Sequence, residues 1–138
     1  LIGLTIDKIS IGQNATMSKI ITEADVAAFA EITGDFNPAH MDEDFAKNTI
    51  FKGRIAHGML AAGLISAVLG MHLPGPGSIY MKQDLKFTAP VRFGDTITAT
   101  VTVKEMLIEK NRITLDCIVT NQDGTAVLSG EALIMPPK

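Results

Sequence analysis

Residues 57–69 constrain this chain more than any other stretch. After His57 and Gly58 come eleven positions of Met, Leu, Ala, Gly, Ile and Val, relieved only by Ser66, with no charge among them. The run is too long for one buried strand and reads as a helix. A helix that is apolar on every side is buried on every side. The rest of the chain must therefore wrap it. It is not a membrane span. Gly70, Pro74, Gly75, Pro76 and Gly77 interrupt the uncharged stretch, and the apolar part falls short of the ~20 residues a bilayer requires.

The wrapper follows in the sequence. Ile79, Met81, Leu85 and Phe87 alternate with polar residues, which predicts a half-buried strand ended by Ala89-Pro90. Ile97, Ala99, Val101 and Val103 alternate with threonines. Ile113, Leu115, Cys117 and Val119 repeat the pattern, and a last strand is expected over 125–135 after the Asn121-Gln122-Asp123-Gly124 turn. The first ten residues alternate loosely and predict an edge strand. One buried helix followed by an antiparallel meander with one apolar face implies an α+β hot-dog fold, a curved sheet around a long helix. Its outer strands would be unpaired, so a homodimer with a shared sheet is expected. With 138 residues and no linker, a single domain over residues 1–138 is expected.

Bulk composition narrows the function classes. Net charge is −3, without a basic run, which argues against nucleic acid as the main partner. The lone Cys117 cannot form an internal disulfide and lies on the apolar phase of its strand, so it reads as core. No charged segment followed by an apolar one opens the chain, so no secretory signal is expected and a cytoplasmic location is. There is neither a Gly-x-Gly-x-x-Gly nor a P-loop, so no nucleotide cofactor is indicated. The spacings of His40, His57 and His72 match no common metal motif, so no metal is expected.

The polar chemistry gathers just ahead of the apolar run. Thr22 with Glu23 and Asp25 marks a helix start, Val26, Phe29, Ala30 and Thr33 share one face, and Gly34 marks its end. Asp35 and His40 then flank an Asn37-Pro38 turn, with a short acidic helix expected over 42–47 and a loop over 51–55. A carboxylate and an imidazole converging on one water could take a proton from it and return one to carbon. The same spacing also fits an Asx-type helix terminus beside a surface histidine. Gly58 opens the buried helix, where backbone N–H groups lack partners and a missing side chain admits a ligand. Such an N–H could hold an enolate oxygen, or the glycine could simply permit tight packing. His57 is best read as a satisfied histidine at a helix start. Ser66 could bond back to the Ala62 carbonyl or hold a polar group of the Asp35–His40 turn. Lys82, Lys86 and Arg92 could meet phosphates, although scattered strand cations usually face solvent.

The stretch Phe29-Ala30-Glu31-Ile32-Thr33-Gly34-Asp35-Phe36-Asn37-Pro38-Ala39-His40 resembles the hydratase-2 motif of the MaoC-like family. Ile55-Ala56-His57-Gly58-Met59-Leu60, Gly77-Ser78-Ile79-Tyr80 and Phe87-Thr88-Ala89-Pro90-Val91 are similar to further blocks of that family, above all to its short (R)-specific enoyl-CoA hydratases. The resemblance implies a hot-dog homodimer that needs no metal or cofactor, CoA being part of the substrate. It implies a hydro-lyase of fatty-acid metabolism adding water across a trans-2-enoyl thioester. Asp35 and His40 would be catalytic, with Gly58 the oxyanion donor. Asn37, Ser66 and His57 would support the site, and Met59, Val68, Leu69 and Leu133 would line the acyl pocket. Ala39 stands where a larger aliphatic residue is usual, which loosens packing without touching the chemistry.

Three other readings compete. The first is dehydration of a (3R)-hydroxyacyl group on acyl carrier protein, which would use the same residues. A hot-dog thioesterase would commonly carry an acid on the long helix, and residues 59–69 contain none. A binding-only module would have no need of Asp35 and His40.

Overall fold

The computed structural model describes residues 2–138. Helix α1 (Glu23–Thr33) begins with a complete capping box. The Asp25 N–H donates to the Thr22 hydroxyl (3.1 Å) and the Thr22 N–H to the Asp25 carboxylate (2.9 Å). It ends at Gly34, whose φ of 80° is a left-handed conformation that a residue with a Cβ adopts only under strain. Two one-turn helices follow, α2 (Pro38–Met41) and α3 (Glu43–Ala46), capped by the side chains of Asn37 and Asp42. His40 therefore stands on a helical turn, where the sequence suggested only a turn at Asn37-Pro38. The central helix α4 (Gly58–Met71) has His57 as its N-cap and runs two residues beyond its expected end.

Around α4 lies an antiparallel sheet of β1 (Asn14–Ile20), β2 (Ile79–Gln83), β3 (Lys86–Phe87), β4 (Thr96–Leu107), β5 (Arg112–Thr120) and β6 (Ala126–Met135). The order is β1-β4-β5-β6-β2, with β3 also paired to β6. The inward residues of β4 and β5 are those the alternation picked out: Ile97, Ala99, Val101 and Val103, then Ile113, Leu115, Cys117 and Val119, all buried. They share one core with Ala61, Leu64, Ile65, Val68 and Leu69 of α4. This is the expected hot-dog arrangement.

Three expectations need correction. The first strand is not in the first ten residues, where residues 6–8 form a single 3-10 turn; it is β1, Asn14–Ile20. As an edge strand pairing only with β4, β1 keeps mostly exposed residues and carries little apolar alternation. The strand expected over 79–87 breaks into β2 and β3. Leu85, between the two, is half-buried against the core as expected, but Ile79 at 54%, Met81 at 44% and Phe87 at 52% are exposed. Finally, α4 is not covered all round within one chain. Gly58, Met59, Gly63 and Ser66 form an exposed stripe along it.

Candidate active site

Gly34 stops α1 and turns the chain into Asp35. One carboxylate oxygen of Asp35 accepts from the Asn37 N–H (3.2 Å), and Asn37 in turn accepts from the Ala39 N–H (3.0 Å), capping α2. The Asx geometry and the proposed catalytic pair thus coexist, since the bond to Asn37 leaves the other carboxylate oxygen of Asp35 outside the turn. The α2 turn points His40 back across the loop before α4. There His40 Nδ1–H donates to the Ile55 carbonyl at 2.8 Å. A carbonyl can only accept, so this bond assigns the proton to Nδ1 and leaves Nε2 with its lone pair.

His40 is held from two further sides. Its backbone carbonyl accepts from Arg54 Nε (2.7 Å), while the same guanidinium pairs with Glu23 of α1 (2.9 Å) and lies 4.8 Å above the Phe93 ring. Its ring packs against that of His57, with centroids 4.0 Å apart. His57 is only 2% exposed, and its Nε2–H donates to the backbone carbonyl of Asp35 at 2.9 Å.

Ligating atoms of Asp35, His40 and His57 all fall within 4.8 Å of one another. These are the residues among the described ones that could address a common metal ion. Two nitrogens on one tetrahedral zinc would sit about 3.3 Å apart, given Zn–N bonds of ~2.0–2.1 Å. His40 Nδ1 and His57 Nε2 are already committed to carbonyls, which leaves His40 Nε2 and His57 Nδ1 as the uncommitted ring nitrogens, and the two rings pack at 4.0 Å with a tilt of 33°. The same free acceptors, with the Asp35 carboxylate beside them, can also receive the hydrogens of a water molecule.

Beside this cluster opens an apolar cavity of about 510 Å³, lined by His40, Phe51, Ile55, Gly58, Met59, Phe87, Val91, Val127 and Leu128, among others. Gly58 is the first residue of α4, and His57 caps that helix without a side-chain bond, so the leading N–H groups have no side-chain acceptor. A Cβ on Gly58 would lie 2.6 Å from the Phe87 ring. Only glycine lets that ring close over the helix end.

The sequence-derived candidates do not all assemble. Asp35, Asn37, His40, His57 and Gly58 come together, and Met59 lines the cavity. Val68 and Leu69 are sealed in the core at 0% and 1% exposure, and neither they nor Leu133 of β6 is in its lining. Ser66 lies on the exposed stripe of α4 and, among the described residues, makes neither of the bonds considered for it. Lys82 and Lys86 face solvent. Sequence reasoning missed Arg54 and the cavity wall from Phe51, Val127 and Leu128. Arg54 gave no local signal because its partners lie 14 and 31 residues away.

A hot-dog fold carrying an Asp–His pair beside the free N-terminus of its central helix defines a class of thioester-processing enzymes. Residues 8–123 match the model of the MaoC like domain, and the chain belongs to that family. It is 54% identical to an (R)-specific enoyl-CoA hydratase of Rhodospirillum rubrum over 95% of this chain and 90% of that protein. It is 49% identical to a 3-hydroxybutyryl-CoA dehydratase of Methylorubrum extorquens, over 98% and 85% of the two chains. The structure of an R-hydratase from Pseudomonas aeruginosa superposes with a TM-score of 0.93 at 45% identity, covering 99% of this chain and 87% of that one.

Proposed function

We propose that this protein is an (R)-specific enoyl-CoA hydratase, adding water reversibly to a trans-2-enoyl-CoA to give the (3R)-3-hydroxyacyl-CoA. The observation that carries the reading is the convergence of His40 and Gly58 on one apolar cavity, with Asp35 against His40. An ionised Asp35 and the Nε2 of His40 are both acceptors. A water held between them donates both of its hydrogens and presents a lone pair to C3 of the enoyl group. As the C3–O bond forms and the C2=C3 π bond breaks, charge moves to the thioester oxygen, where the Gly58 N–H meets it. His40 Nε2 takes the water proton and passes it to C2. Because one group handles the proton and positions the water, both additions fall on the same face.

The cavity takes the acyl chain, with Met59 at its wall. Asn37 holds the α2 turn. The reading needs no cofactor and treats the chain as one catalytic domain. A cytoplasmic location is consistent with a single, buried cysteine, and no helix among the described residues is long and apolar enough to cross a membrane. A homodimer would cover the exposed stripe of α4 and the apolar edge strand β2.

The test is hydration of crotonyl-CoA with stereochemical analysis of the product. Asp35→Asn and His40→Gln should each lower turnover about 100-fold or more while leaving the fold intact. Release of free CoA without a 3-hydroxyacyl product would mean a thioesterase instead. A strong preference for the acyl carrier protein thioester would reassign the carrier and keep the chemistry.

A further inference from the structure

We infer that His57 is a positioning residue that locks the two halves of the site together through its Nε2–H. The inference rests on the hydratase reading and adds a role for a residue that the mechanism above leaves idle. His57 immediately precedes Gly58, so it is covalently tied to the oxyanion donor. Its Nε2–H donates to the backbone carbonyl of Asp35, 22 positions earlier, at 2.9 Å. Its ring packs, tilted, against His40 at 4.0 Å and against Phe29 of α1 at 4.8 Å. One side chain thereby touches the segment bearing the carboxylate, the imidazole base, and the helix end bearing the N–H.

The tautomer supports this role. With the proton on Nε2, Nδ1 is an acceptor, and it is buried without a hydrogen-bond partner among the described residues. An unpaired buried acceptor is unfavourable. A phenylalanine would fill much the same space without that cost. What histidine supplies at this position and phenylalanine would not is the Nε2–H bond to Asp35. Asp35 itself is exposed and follows a glycine in a left-handed conformation; local bonds to Thr33 and Asn37 shape its turn, and the His57 bond is the one that ties that turn to the start of α4. A shift of about 1 Å in a reacting group can cost on the order of a hundredfold in rate.

Two variants separate the outcomes. His57→Phe keeps a ring packed against His40 and Phe29 but removes the donor. His57→Gln places an amide N–H near the position of Nε2. Phe should lower kcat about tenfold or more with little change in KM, whereas Gln should stay within about threefold of the parent, as expected for loss and recovery of geometry rather than of binding. Amide exchange at Phe36 and Asn37 should quicken in the Phe variant and not in the Gln variant. Thermal unfolding of both checks that each is folded. An active Phe variant would reduce His57 to packing, and a Gln variant as impaired as Phe would place a ring nitrogen in the chemistry itself; either overturns the inference. The parent enzyme's own hydration activity, with Asp35→Asn as control, tests the functional reading separately.

Discussion

At the scale of single residues, the site works through groups whose remaining valences are set by backbone carbonyls. Ile55 selects the Nδ1–H form of His40, and Asp35 selects the Nε2–H form of His57. Cys117 shows the opposite case, a reactive group made inert by place. It is 3% exposed on the inner face of β5, and burial pushes its thiol from 9.0 up to about 11. At pH 8 only about one part in a thousand would be thiolate, the reactive form. Iodoacetamide should therefore label the native protein negligibly and the unfolded protein fully. The sign for stability follows. Above pH 9 the unfolded thiol ionises before the folded one, so this residue's contribution to stability declines as the pH rises toward 11.

At the scale of elements, the end of α4 and the strand β3 form one unit. Gly58 leaves room for the Phe87 ring, and both line the cavity. Gly58→Ala should fold, because the helix tolerates alanine at its first turn. The added methyl must displace the Phe87 ring, which is half-exposed and can swing aside. Hydration should fall by about tenfold or more, since an ångström-scale shift at the oxyanion donor is costly, with a denaturation midpoint close to the parent's. An unchanged rate would mean that the ring's position does not matter to the substrate. The elements also show which patterns a sequence carries. The capping box of α1, the Gly34 stop and the alternation in β4 and β5 are local signals, and all were legible. β1 was not, because only Ala15 and Met17 of this edge strand pack against the core, too short an apolar period to stand out. β2 and β3 misled for a related reason: their apolar residues are not buried within the chain.

At the scale of the whole molecule, the exposed residues ask for a second copy. Ile79, Tyr80 and Met81 lie on β2, which ends the sheet with one edge unpaired, and Met59 and Ser66 lie on the open stripe of α4. Adjacent apolar side chains on a free edge favour association. The protein is expected to sediment as a dimer. Met81→Lys should shift it toward monomer and lower its activity, because the α4 stripe, whose Gly58 and Met59 line the cavity, would lose its cover. A Met81→Lys protein that remained dimeric would place the interface on another surface.

By itself the sequence determined the central helix, the inward faces of β4 and β5, the stop before Asp35 and the Asp-x-Asn-Pro-x-His turn, because each rests on neighbours along the chain or on a simple period. Only the tertiary structure decided which of these meet. The bond from His57 to Asp35, the hold of Arg54 on His40 and Glu23, and the walls from Phe87, Val127 and Leu128 all join residues distant in sequence, and no local pattern encodes such contacts. The same reason moved Val68 and Leu69 out of the candidate pocket. An apolar residue on a helix can face the core or a cavity, and what packs against that face decides which.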